Sequence, residues 1–238
     1  MRTIQTVLFD LDDTLHDDTV AYKSAAEEVA REVAAEHNID ALKLKEAYVA
    51  QAEGFWKRLD VSALSQKLEN VRKDLWWAAL REVGIEDEKL AHQSAANYNL
   101  YRKKYLRLFP GAADLLRSLK AAGIKLGLLT NGFSATHREK IALLQIGDLF
   151  DAIFIADEVG MLKPDPLLFA HACTRLQSSP SVSAMVGDRY ERDIRGALDA
   201  GLFTVWMNVH GETLPPGAPP PNVTVDTILE VRAALPLE

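Results

Sequence analysis

At 238 residues the chain can bury one large core, or a core domain with a smaller insertion, and its 48% hydrophobic and 26% charged residues are those of an ordinary globular protein. A formal net charge of −7, with no basic cluster, argues against nucleic acid or an anionic membrane as partner. The single cysteine, Cys173, excludes an internal disulfide and any multi-cysteine metal site; with no leader-like apolar region at Met1–Thr6 and no stretch of membrane-span length, a cytoplasmic protein is expected.

Residues 7–15, Val-Leu-Phe-Asp-Leu-Asp-Asp-Thr-Leu, run three apolar residues into the acids Asp10, Asp12 and Asp13. So short an apolar run without alternation predicts a strand covered on both faces, with Asp10 at its carboxyl end. The period then becomes helical. Ala26, Val29, Ala30 and Val33 predict a helix over 20–35, and Leu44, Tyr48, Ala52, Phe55 and Leu59 one over 42–59. A third carries Leu68, Val71, Leu75, Ala79 and Val83 and ends near Gly84, and a fourth spans about 87–106. Phe109-Pro110-Gly111 breaks this run. Helices are next predicted at 111–122, 135–145, 165–176, 191–200 and 227–235, the last from the capping-box spacing of Thr227 and Glu230. Strands are predicted between them at 125–129, 152–156, 184–186 and 204–207, and the Pro-rich stretch 214–221 reads as a stiff surface loop. Alternating strands and helices imply an α/β core with a parallel sheet and right-handed crossovers, into which an all-helical segment is inserted after the first strand.

In a parallel sheet the carboxyl ends of the strands share one edge, so residues far apart in sequence converge there. Asp10 and Asp12 leave the first strand and Thr130 and Asn131 the second; Lys163 follows the third, and Asp188 and Asp193 follow the fourth. Carboxylates gathered at strand ends raise one another's pKa values unless a cation offsets them, which suggests a divalent metal on oxygen ligands. An EF-hand calcium loop does not fit, because Leu15 stands where Gly is needed and Ala21 where a bidentate Glu is needed. No P-loop, dinucleotide glycine pattern or Gly-x-Ser-x-Gly elbow occurs, and Ser179 stands where a cysteine-phosphatase loop headed by Cys173 would need Arg.

Phe9-Asp-Leu-Asp-Asp-Thr-Leu15, Leu128-Leu-Thr-Asn-Gly132, Lys163-Pro164 and Gly187-Asp-Arg-Tyr-Glu-Arg-Asp193 resemble, in order, the four motifs of the haloacid dehalogenase-like (HAD) hydrolase superfamily, in the subgroup with a helical cap after the first motif. The resemblance implies a Rossmann-like three-layer core, residues 1–16 and 109–238, and a helical cap, residues 17–108, that closes over the site and selects substrate. It implies that Asp10 is a nucleophile forming an aspartyl-phosphate and that Asp12 is the general acid and base. Thr130 and the Asn131 backbone would hold phosphate oxygens, and Lys163 would offset charge on Asp10 and the phosphoryl group. Mg²⁺ would be held by the Asp10 carboxylate, the Asp12 carbonyl and Asp188, with Asp193 a further ligand or a partner of one. Asp12 favours phosphatase over dehalogenase, because halide departs without a proton and an alkoxide does not.

The expected activity is therefore a Mg²⁺-dependent phosphatase of a small phosphorylated metabolite, of the nucleotide, phosphoglycolate or sugar phosphate class. A phosphomutase of the β-phosphoglucomutase type and a non-catalytic phospholigand-binding protein are the alternatives, and monomer and homodimer are both open. The remaining candidates receive structural readings: Asp13 shapes a turn, Trp56, Trp76 and Trp77 form helix core, and His16 is a polar loop residue. His37, His92, His137, His171 and His210 are placed on the surface.

Overall fold

The computed structural model describes residues 3–237. The chain opens with β1 (Thr6–Phe9), all of whose residues are buried. Val7 and Phe9 join one apolar cluster and Leu8 another, which is the two-sided burial expected of an unalternating apolar run.

Five helices follow: α1 (Asp18–His37), α2 (Ala41–Lys57), the single turn α3 (Val61–Leu64), α4 (Leu68–Glu82) and α5 (Glu88–Tyr105). They form a compact unit of their own, Asp18–Leu106. Within it α1 packs on α2 and α5, and α4 packs on the same two helices. Small side chains at the seams, Ala25, Ala26 and Ala30 of α1 and Ala47 and Ala52 of α2, leave room for large ones elsewhere in the same cluster. Tyr48 and Trp76 fill that room, stacked with ring centroids 4.0 Å apart. Trp76 is fully buried, and Trp56 and Trp77 pack partly buried against the cluster, so all three tryptophans serve the core. Asp40 and Asp87 cap α2 and α5 by accepting the Leu42 and Lys89 N–H groups, each at 2.8 Å.

The second unit ends its first segment at Asp17 and resumes at Arg107. The Phe109 N–H donates to the Leu15 carbonyl at 3.0 Å and the Asp17 N–H to the Arg107 carbonyl at 3.4 Å, which ties both passes of the chain to this unit. Its further elements are α6 (Ala112–Ala121), β2 (Lys125–Thr130), α7 (Ser134–Leu143), β3 (Ala152–Ile155), α8 (Ala156–Val159), α9 (Pro166–Arg175), β4 (Ser183–Gly187), α10 (Arg195–Asp199), β5 (Phe203–Met207), β6 (Val223–Val225) and α11 (Val231–Ala234). All strand pairs are parallel, in the order β3-β2-β1-β4-β5-β6. One face of the sheet packs Leu115, Leu116 and Leu119 of α6 with Val231 of α11; the other packs Leu168, Phe169, Ala172 and Cys173 of α9 with Ala197 of α10. The fold is a Rossmann-like α/β core of three layers, and no helix among the described residues is long and apolar enough to cross a membrane.

Four local differences from the sequence reading have physical causes. Strand β6 lies outside the predicted set because only three residues pair, one of them exposed. The helix predicted over 42–59 stops at Lys57, and Asp60 starts the short α3 by accepting the Ala63 N–H at 2.8 Å. The segment predicted as one helix over 191–200 begins as a π-helical turn, Tyr190–Ile194, before α10. Over 227–235 a 3₁₀ turn precedes the four-residue α11, because the Thr227 hydroxyl bonds the Glu230 carboxylate at 2.8 Å and caps no backbone N–H.

Candidate active site

The strand order reverses between β1 and β4, and open α/β sheets bind their ligands at the carboxyl ends of the strands flanking such a reversal. Asp10 leaves β1 there, its N–H donating to the Val186 carbonyl of β4 at 2.9 Å, and Asp188 leaves β4 itself. The π-helical turn then returns Asp193 to the same place, where its carboxylate accepts the Arg189 N–H at 2.9 Å. Only glycine at 187 allows this return, since a Cβ there would lie 2.4 Å from the Asp193 Cβ. One carboxylate oxygen from each of Asp10, Asp188 and Asp193 falls within 4.8 Å of the others, and all three residues are buried.

Lys163 is the cation nearest this group. Its ammonium lies 2.5 Å from Asp10 Oδ1 and 2.6 Å from Asp193 Oδ1, and it is 2% exposed. Asn131 holds the lysine's backbone at both groups: its side-chain amide donates to the Lys163 carbonyl and accepts the Lys163 N–H, each at 2.8 Å. That leaves the Asn131 backbone, rather than its side chain, for a ligand. Thr130 is the last residue of β2 and is buried. The Thr14 hydroxyl sits between Asp10 Oδ2 at 3.5 Å and Asp188 Oδ1 at 3.4 Å.

The electrostatics follow from this crowding. Burial, opposed by Lys163 and assisted by the Asp193 and Asp12 carboxylates, pushes the Asp10 carboxyl up to about 7. Burial, followed by the charges of Asp193 and Asp10, carries Asp188 well above the usual carboxylate range. Burial also works against the Lys163 ammonium, but Asp10 and Asp193 outweigh it and raise its pKa. Lys163 offsets Asp10 and Asp193, and Asp188 meets only the half-exposed Arg189, so three buried carboxylates face two cations, and an all-oxygen set of this kind fits a hard divalent cation.

The Asp12 carboxylate is not part of that group. Its two oxygens lie 2.6 and 2.7 Å from the Lys140 ammonium, one lies 2.7 Å from His16 Nε2, and the other lies 3.5 Å from His137 Nε2. Burial alone would raise its pKa; Lys140, His137 and His16 together hold it well below the usual range. The sequence reading placed His16 in an ordinary loop and His137 on the surface, and it passed over Lys140; all three are at most 2% exposed. A signal existed. His137 and Lys140 are three apart on α7, so they share a face, and that helix starts directly after the Thr130-Asn131-Gly132 strand end. Gly132 admits the His137 ring, whose Cε1 would lie 2.1 Å from a Cβ at that position.

Asp13 takes a left-handed backbone conformation, φ 58°, so it does shape the turn, and its carboxylate faces Arg189 at 3.6 Å and His210 Nε2 at 3.5 Å. His210 is exposed, as expected, and its ring reaches the rim of the group, 3.8 Å from Asp188 Oδ2, while Arg189 Nε lies 3.0 Å from that same oxygen.

The model of the haloacid dehalogenase-like hydrolase family matches residues 4–201 of this chain. The chain belongs to this family. The N-acylneuraminate-9-phosphatase of Mus musculus is 34% identical over 245 residues, covering 99% of this chain and 95% of that protein. The glyceraldehyde 3-phosphate phosphatase of Methanopyrus kandleri is 33% identical over 210 residues, covering 85% and 83%. Among solved structures, the magnesium-bound HAD-hydrolase YfnB of Bacillus subtilis superposes with a TM-score of 0.77 at 27% identity, over 98% of this chain and 99% of that one. Within the haloacid dehalogenase-like hydrolases the chain is an enzyme of the phosphatase branch, a phosphoric monoester hydrolase.

Proposed function

We propose that this protein is a Mg²⁺-dependent phosphatase of small primary phosphate monoesters, working through an aspartyl-phosphate on Asp10. The observation that carries the reading is the convergence of Asp10, Asp188 and Asp193 with Lys163 at the point where the sheet order reverses. An Asp10 oxygen forms a bond to phosphorus as the bond from phosphorus to the ester oxygen breaks, and Asp12, ionised in the free protein and so required to take a proton from solvent as the ester binds, gives that proton to the departing oxygen. Water then attacks the phosphorus and loses a proton to Asp12. The bond to Asp10 breaks, and inorganic phosphate and the free carboxylate are restored. Asp12, held ionised by Lys140 and two histidines, is suited to the second, proton-accepting half. Lys163 offsets charge on Asp10 and on the phosphoryl oxygens, which the Thr130 hydroxyl and the Asn131 backbone also receive. Asp10, Asp188 and Asp193, with the Asp12 carbonyl, would hold the Mg²⁺, which would supply positive charge to keep Asp10 ionised and to polarise the phosphoryl group.

The substrate class follows from chemistry that two relatives of different substrate size share. N-acylneuraminate 9-phosphate and glyceraldehyde 3-phosphate both carry the phosphate on a primary carbon, whose alkoxide needs a proton to leave. Purified protein given a panel of primary phosphate monoesters is expected to release inorganic phosphate with Mg²⁺, to stop with chelator, and to lose turnover in Asp10→Asn. Full activity in that variant sinks the mechanism. A sugar phosphate isomer formed in place of inorganic phosphate favours the phosphomutase, and Mg²⁺ binding without turnover favours the non-catalytic protein.

A further inference from the structure

Two neighbouring carboxylates meet different ammonium groups. Lys163 serves Asp10, and Lys140 serves Asp12 from a different helix. Lys140 is unlike the other charged residues of α7: Arg138 pairs with Glu158 on the exposed side, while Lys140 is 2% exposed and turns inward. A lysine is rarely buried unless paired, and this one ends on the carboxylate that the proposed reaction uses to move protons. Donation to both oxygens, at 2.6 and 2.7 Å, leaves the carboxylate little freedom to rotate about its last bond. His16 Nε2 at 2.7 Å meets the oxygen nearer Lys140, and His137 stands one turn before Lys140 on the same helix.

We infer that Lys140 is the positioning residue for Asp12, fixing the direction in which that carboxylate presents its oxygens to the leaving group and to the attacking water. The inference rests on the phosphatase reading above and deepens it. Lys140 does not touch the phosphoryl group; it acts through Asp12. Removing it therefore affects both proton transfers and leaves phosphoryl binding at Thr130, Asn131 and Lys163 in place.

The test is Lys140→Met, of similar length and without charge, beside Lys140→Arg, each assayed with 4-nitrophenyl phosphate and with an alkyl ester such as phosphoserine. Nitrophenolate leaves without a proton, so with the aryl ester the methionine variant is expected to form phosphoenzyme normally and to stall at hydrolysis. Its progress curve shows a burst of about one nitrophenolate per enzyme molecule followed by slow turnover. With the alkyl ester both steps suffer, and kcat falls by about 100-fold with KM little changed, a loss at the low end of what acid–base catalysis contributes. The arginine variant recovers part of the alkyl rate. The burst amplitude counts folded sites, so misfolding cannot imitate this pattern. Equal losses on both esters without a burst, a change confined to KM, or no change at all overturns the role of Lys140 while wild-type turnover leaves the phosphatase reading standing. A wild-type protein that hydrolyses neither ester refutes both.

Discussion

Binding of Mg²⁺ to the metal-free protein should expel protons, by an amount that the site predicts. With its carboxyl at about 7, Asp10 is about half protonated at pH 7, about nine-tenths at pH 6 and about one-tenth at pH 8. A cation on the Asp10, Asp188 and Asp193 oxygens binds the ionised forms, so Asp10 alone accounts for release of about half a proton at pH 7, and Asp188, shifted in the same direction, adds to it. The apparent Kd should then tighten about fivefold from pH 6 to 7 and about twofold more from pH 7 to 8 from the Asp10 contribution alone. Calorimetric titration of the chelator-treated protein with Mg²⁺, in buffers of different ionisation enthalpy, gives the proton count from the slope of observed heat against buffer enthalpy. Asp12→Asn should reduce that count without abolishing it, because the Asp12 charge assists the rise at Asp10 but burial is the larger cause and the Asp12 carboxylate stands outside the cluster. No proton release, with an affinity that does not vary between pH 6 and 8, would refute the reasoning.

Asp10 and Asp188 hold protons in the folded, metal-free protein that the unfolded chain gives up above about 4, so metal-free stability should fall as pH rises from about 4 through 7; thermal melts at a series of pH values should show this loss, and saturating Mg²⁺ should remove it. Gly187→Ala forces a Cβ to within 2.4 Å of the Asp193 Cβ and should weaken Mg²⁺ binding by about tenfold or more in the same calorimetric experiment. Trp76→Ala empties the stack against Tyr48 and should destabilise the helical unit by about 3–5 kcal/mol, read from urea unfolding followed by far-ultraviolet circular dichroism.

The residues that folding brings to the β1–β4 edge were legible because they follow from strand ends. An unalternating apolar run must be covered on both faces, and once Val7–Phe9 is such a strand, Asp10 has to emerge where the next loops also emerge. The same reasoning reached Thr130 and Asp188, right after predicted strands, and Lys163 and Asp193, further along the loops that leave them. It failed at His16, His137 and Lys140 because their inward face cannot be recognised by polarity: α7 is charged on its exposed side and charged again where Lys140 turns inward. Amphipathic periodicity assigns charged positions to solvent, and here a carboxylate takes the place of water.

From its order of residues alone this chain determined the alternation of strands and helices, the helical insertion and the edge on which the acids gather, since all of these depend on local period and on the single edge that parallel strands share. Tertiary structure decided which cation meets which carboxylate. Lys163 on Asp10 and Lys140 on Asp12 are contacts across 153 and 128 residues, made between side chains whose directions depend on a π-helical turn, on the close approaches at Gly132 and Gly187, and on the Asn131 bonds to the Lys163 backbone. The acids around Asp10 thereby divide into a group short of positive charge, open to a divalent cation, and a separately paired Asp12, because the charge beside each carboxylate is set by packing at ångström range and sequence spacing carries no such distance.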